Sequence, residues 1–136
     1  MSAREQDWQT VVVGDVLEFS SPVALDRTTA EGTDTTFSEW QGSGLTVRVD
    51  YGLFVDPLKS SQRQGGAEVA VETIDGLTAT RVSYTQADGM RFTAVHFPDL
   101  SAVGGGRNKL TMVVLSPSSR AAEDARRMLT SVKFRR

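Results

Sequence analysis

The chain has 136 residues, 39% hydrophobic and 24% charged, which fits one globular domain able to bury roughly two-thirds of the surface its unfolded form exposes. It contains no cysteine, which excludes disulfides, thiolate chemistry and Cys-based zinc or iron–sulfur sites and leaves the compartment open. No apolar run approaches the ~18 residues of a membrane helix, and the net charge of −2 is uneven: residues 1 to 106 carry 7 basic and 15 acidic groups, residues 107 to 136 carry 8 and 2.

The opening Met-Ser-Ala-Arg-Glu-Gln has neither the apolar core of a signal peptide nor an acylation motif. Two readings stay open: a cytosolic protein, or a mature portion in which Met1 follows a removed signal or lipoprotein segment. Trp8 to Val13 and Val16 to Phe19 are β-rich runs around Gly14-Asp15, giving a first hairpin or a bent strand that ends at Ser20-Ser21-Pro22. Residues 23 to 34, rich in Thr, Asp and Gly, read as a loop. Thr35 to Trp40 and Leu45 to Tyr51 flank Gly42-Ser43-Gly44, and Leu45, Val47, Val49 and Tyr51 alternate with Thr46, Arg48 and Asp50, the pattern of a half-buried strand. Residues 56 to 66, with Pro57 early and Gly65-Gly66 late, form either a short helix over Pro57 to Gln64 or an ordered loop.

Two Asp-Gly dipeptides then set a register, because two-residue hairpins of this type favour type I′ turns. Asp75-Gly76 joins Glu68 to Ile74 with Leu77 to Tyr84, and Asp88-Gly89 joins Leu77 to Ala87 with Met90 to Phe97. Counted as two-residue turns, they gather Val69, Val71, Thr80, Val82, Tyr84, Val95 and Phe97 on one face, predicted to be core. The other face collects Glu68, Ala70, Glu72, Arg81, Ser83, Ala94 and His96. Gly104-Gly105-Gly106 separates this meander from Leu110 to Leu115, apolar on both faces like a central strand. No internal repeat is visible.

Ser116 to Phe134 reads as one capped amphipathic helix. At ~100° per residue, Ala121, Ala122, Ala125, Met128, Leu129 and Val132 share a stripe about 120° wide, with Arg120, Glu123, Asp124, Arg126 and Arg127 opposite. Ser116 supplies an N-cap, Pro117 the first helical position, and Glu123 and Asp124 favour the positive end. Glu123 can pair with Arg127 at i, i+4. The sum is an α+β domain, an antiparallel sheet of about six or seven strands closed on one side by a C-terminal helix, over residues 1 to 136.

The chemistry available is sparse. The register sets the single histidine, His96, opposite Arg81, with Glu68 and Glu72 diagonally adjacent, a cluster able to bind an anion or host a general base. A cross-strand ion-pair row on a solvated face is the alternative. No Gly-x-Ser-x-Gly elbow is present. Gly104 to Gly106 followed by Arg107 offers backbone N–H groups to a phosphate, but precedes a strand and lacks the Gly-Lys-Ser/Thr of a P-loop. There is no calcium-type Asp/Asn ladder, and one histidine alone builds no typical zinc site; no cofactor is expected. Trp8, Phe37, Trp40 and Phe54 serve as core or line a ligand groove. Aromatics do not interleave with the basic residues of the C-terminal segment, which argues against a nucleic-acid platform.

Leu17-Glu18-Phe19-Ser20-Ser21-Pro22, Ile74-Asp75-Gly76-Leu77-Thr78-Ala79 and the terminal Leu129-Thr130-Ser131-Val132-Lys133-Phe134, in that order, resemble the PsbP-like superfamily, which is shared with the Ran guanine-nucleotide release factor. The resemblance implies an α/β/α sandwich, helices on both faces of an antiparallel sheet, and a non-enzymatic binding or assembly role with a protein partner, often in exported bacterial proteins or lipoproteins. Metal-binding, photosystem-contacting and GTPase-contacting positions of the family find no matching residues here. The expectation is a non-catalytic accessory module. Its rivals are a small-ligand binder or enzyme using Arg81, His96, Glu72 and Glu68, and a cytosolic regulator of a GTPase-type partner.

Overall fold

A computed structural model of the protein describes residues 8–28, 37–53, 55–104, 106–117 and 122–135. The strands in chain order are β1 (Gln9–Val13), β2 (Leu17–Ser21), β3 (Asp26–Arg27), β4 (Phe37–Gly42) and β5 (Leu45–Gly52), then β6 (Glu68–Ile74), β7 (Leu77–Thr85), β8 (Arg91–Phe97), β9 (Lys109–Ser116) and β10 (Lys133–Phe134). A one-turn helix, α1 (Lys59–Gln62), precedes β6, and α2 (Ala122–Thr130) lies between β9 and β10. Seven strands form one antiparallel sheet in the order β3-β4-β5-β9-β8-β7-β6, and β1, β2 and β10 form a separate three-stranded sheet.

The alternation of β5 is as predicted: Leu45, Val47 and Val49 are buried. They meet Leu110, Met112 and Val114 of β9, Val95 and Phe97 of β8, and Leu77 and Ala79 of β7 in one core cluster. Ala125, Met128 and Leu129 of α2 close over it, joined by Leu17, Phe19 and Phe134 from the small sheet. Phe97 meets Phe134 edge-on at 5.0 Å, and Phe19 meets Trp40 at 6.0 Å, the T-shaped geometry that ring quadrupoles favour. Among the described residues the opposite face is covered over its middle, where Leu58, just ahead of α1, packs on Val82 and Ala94.

Four expectations are corrected. The terminal segment is not helical to Phe134: α2 ends at Thr130, and Lys133 and Phe134 pair with Glu18 and Leu17 of β2. On a helix Phe134 would lie about 140° round from Leu129, away from the sheet; as a strand residue it reaches Phe97. Ser131 makes the changeover, its Oγ donating to the Met128 carbonyl (2.6 Å) and accepting from the Ser20 amide (2.8 Å). Ser116 is the buried last residue of β9 rather than an N-cap; residues 118–121 lie outside the described residues, Ala121 among them, as does the Ala122 side chain. The first hairpin, closed by a bond from the Val16 amide to the Val13 carbonyl (3.0 Å), belongs to the small sheet and not the large one.

The fourth correction concerns register. Asp75-Gly76 makes the predicted turn, with Ile74 paired to Leu77 and φ of 50° and 83° at the two turn residues. Around Asp88-Gly89, however, Thr85 pairs with Arg91 and Tyr84 with Phe92, so the loop has three residues, Ala87, Asp88 and Gly89. The Gly89 amide reaches the Gln86 carbonyl (2.9 Å), the Gln86 amide reaches the Met90 carbonyl (2.8 Å) and Gly89 has φ 88°, the bulged arrangement of three-residue hairpins. One residue of slip sends every β8 side chain to the other face. Val95 and Phe97 join Arg81 and Ser83 over the core, whereas Ala94 and His96 join Val82. The face carrying Val69 and Val71 is consequently not core on β6: those two are 48% and 72% exposed.

Candidate functional site

The helix-covered face changes character along each of its edge-proximal strands. In β7, Leu77 and Ala79 are followed at the same spacing by Arg81 and Ser83; in β8, Phe97 and Val95 give way to Thr93 and Arg91. Cross-strand pairing aligns the change, placing Arg81 beside Val95 and Ser83 beside Thr93. On β6 the same face carries Glu72 and Glu68. Where the apolar residues stop, a cleft of about 250 Å³ opens between this polar end of the sheet and α2, lined by Glu68, Arg81, Ser83, Arg91, Thr93, Glu123 and Arg126.

Charge inside the cleft is unevenly distributed. Glu72 Oε1 lies 3.0 Å from Arg81 Nε and 3.6 Å from Arg126 Nη2, so one carboxylate faces two guanidinium groups. The Arg81 contact is close without the alignment of a hydrogen bond, and Glu72 Oε2 and Arg81 Nε are buried with no hydrogen-bond partner among the described residues. Arg91 is held differently, donating from Nη2 to Ser83 Oγ (3.1 Å) and from Nη1 to Thr85 Oγ1 (3.3 Å). No described carboxylate lies within ion-pairing distance of it. Ser83 and Thr93 beneath it are almost wholly buried. Ser116, the cross-strand neighbour of Arg91, has a buried hydroxyl without a partner among the described residues. Guanidinium and hydroxyl donors of this kind match a carboxylate or phosphate oxygen.

Of the predicted site residues, Arg81, Glu72 and Glu68 are therefore brought together, and His96 is not. His96 pairs with Thr80 and Thr111 on the opposite face and is 6% exposed. Its Nδ1 lies 2.8 Å from Thr111 Oγ1, whose only proton goes to the Asp56 carbonyl at 2.6 Å. That leaves His96 Nδ1 as donor and fixes the tautomer. Burial pushes the imidazole below its ordinary pKa, Lys109 adds to this and Asp56 works against it. Nearby, burial pushes the Asp50 carboxyl above its usual range, against a hydrogen bond from the Tyr51 amide and with help from Asp56.

Sequence reasoning missed Arg91, Thr93, Glu123 and Arg126. Arg91 and Thr93 carried a signal, since they alternate with apolar residues just as Arg81 and Ser83 do, but only the three-residue loop puts them on the same face. Of the aromatic groove residues, Trp40 is buried in the core and Trp8 lies under the Arg127 guanidinium, 4.8 Å from ring centre to Cζ. Phe37 is 37% exposed, and Phe54 lies outside the described residues. Leu100 and Gly106 form a bridge that closes the glycine loop. No helix is long and apolar enough to cross a membrane, and no group of three metal-ligating side chains occurs, among the described residues. No protein-family model matches the chain and no curated protein matches it.

Proposed function

We propose that the domain is a non-catalytic binding module that recognises a carboxylate or phosphate group, on a partner protein or a small molecule, in the cleft at Arg91. The observation that carries this reading is the state of Arg91: its guanidinium is oriented by two hydroxyls, while Arg81 and Arg126 share Glu72. An arginine held by neutral acceptors keeps its full charge for a ligand and loses little side-chain freedom on binding. His96, the natural candidate for proton transfer, sits on the other face with its Nδ1 engaged, which weighs toward binding rather than turnover. That the module is an accessory domain of an exported bacterial protein, built as an α/β/α sandwich of the PsbP-like kind, is part of the same proposal. It draws on the three sequence motifs and on helices lying against opposite faces of the sheet.

Titrating the ¹⁵N-labelled domain with inorganic phosphate, acetate and, as a control, ammonium tests the reading. Saturating amide shifts at Ser83, Arg91 and Thr93 with the two anions, no response to ammonium, and loss of the response in Arg91→Gln are expected. Anion-induced shifts that survive in Arg91→Gln, or none at all in the wild type, would sink it.

A further inference from the structure

The edge strand β6 carries information that the cleft does not use. It is the last strand of the seven-stranded sheet and seven residues long, whereas the other edge, β3, has two. Residues 68–74 include no proline, lysine or arginine, and of the two charged side chains Glu72 is already paired with Arg81 and Arg126, which leaves Glu68 as the charge that guards this edge. Because Ile74 and Leu77 close a two-residue turn, Ile74, Glu72, Ala70 and Glu68 exchange hydrogen bonds with β7. The N–H and C=O groups of Thr73, Val71 and Val69 then point outward. No hydrogen bond reaches those three residues' outward groups among the described residues. Their side chains lie on the face opposite α2, where Val69 and Val71 are exposed.

We propose that two copies of this chain pair antiparallel along β6, with Val71 facing Val71 of the second copy across a two-fold axis. Self-complementarity selects this occupant and this register. Centred on Val71, the strand opposes Val69 with Thr73, Ala70 with Glu72 and Glu68 with Ile74 of the second copy, so no like charges stand directly opposite each other. All three outward-facing residues find partners, about six hydrogen bonds in total. Centring on Ala70 would set Glu68 against Glu72 twice and satisfy fewer outward groups. Centring on Glu72 would set that carboxylate against itself and run Val69 into the turn at Asp75. Like charges directly opposite are destabilising in sheets. The chosen register joins the two seven-stranded sheets edge to edge and lays the exposed valines of both copies side by side. Arg91 lies on β8, two strands in from this edge, so the pairing stands independently of anion binding there.

The absence of cysteine makes the test clean. In Val71→Cys the two thiol-bearing residues would have Cα atoms about 5.5 Å apart, within disulfide range. In Val69→Cys, opposite Thr73, they would be separated by about four residues of strand, roughly 13 Å, and could not bridge. Mild oxidation should therefore cross-link the first variant and not the second. Sedimentation of the unmodified protein at concentrations up to about 1 mM should show a dimer, and Val71→Lys, at an exposed position that leaves the fold intact by circular dichroism, should run as a monomer. Arg91→Gln should remain dimeric. A wild type monomeric throughout, equal cross-linking of the two cysteine variants, or a Val71→Lys protein that stays dimeric would each overturn the proposal; a monomer would hand the edge to a strand from a different protein.

Discussion

Replacing Leu129 with alanine probes the packing of α2 on the sheet. Leu129 is wholly buried against the core cluster, and the substitution removes three carbons, about 2.4 kcal/mol at ~0.8 kcal/mol per buried methylene. The helix is tied at both ends of its short C-terminal turn, by Ser131 to β2 and by the Phe134 amide donating to Asp75 Oδ2 (2.8 Å). It cannot settle freely into the vacated space, so a cavity contribution adds to the loss and the total becomes about 3–4 kcal/mol. For 136 residues the unfolding entropy is roughly 0.29 kcal/mol/K, so Tm should fall by about 10–14 °C. Thermal and urea unfolding followed by circular dichroism read both numbers, with Thr130→Ala on the exposed side expected within about 0.5 kcal/mol of wild type. Leu129→Asp should not fold, since it forces an unpaired charge against the sheet. A Leu129→Ala protein within 1 kcal/mol of wild type would mean that the helix does not bear on the core as described.

His96 is the single histidine, so its ring proton resonance can be followed without assignment ambiguity. The midpoint should lie below the ordinary value of ~6.5, because burial disfavours the imidazolium. The unfolded chain then binds the proton first as pH falls, so this group's contribution is complete above about 6.5 and is lost as pH drops through the folded midpoint. A midpoint at or above that of a free histidine would refute the buried, Thr111-bonded placement. At the β6–β7 turn, Asp75 sits at φ 50° and accepts from the Phe134 amide. Asp75→Ala should lose the hydrogen bond and add left-handed strain, about 2–4 kcal/mol together, whereas Asp75→Gly loses the bond without the strain. Urea midpoints showing alanine to be the milder change would contradict the type I′ assignment.

The helix-bearing face illustrates how a polar site can be written in a sequence and still be unreadable there. Arg81 and Ser83 follow Leu77 and Ala79 with the period of a strand, and Arg91 and Thr93 precede Val95 and Phe97 with the same period. Each strand announces a face that is apolar at one end and polar at the other. Whether the two polar ends coincide depends on one residue of loop length. Asp75-Gly76 and Asp88-Gly89 are the same dipeptide; Asp75 takes the left-handed conformation, whereas at the second turn only Gly89 does and Asp88 instead accepts the Met90 amide at 2.9 Å.

Local chemistry was thus enough to establish the α+β class, the hairpins, the half-buried alternation of β5 and the apolar stripe of Ala125, Met128 and Leu129. These depend on side-chain period and on turn residues whose preferences act over a few positions. What required the assembled molecule was everything set by competition between distant segments. Val95 and Phe97 bury against Met112 and Leu110, which outweighs a two-residue turn and moves His96 away from Arg81. Phe134 finds Phe97, which ends the helix and makes a tenth strand out of its predicted last turn. The separate sheet of the first hairpin has the same origin, because it places Leu17 and Phe19 over the core, where both are buried. Burial summed over the whole fold decides between alternatives that local propensity leaves nearly equal.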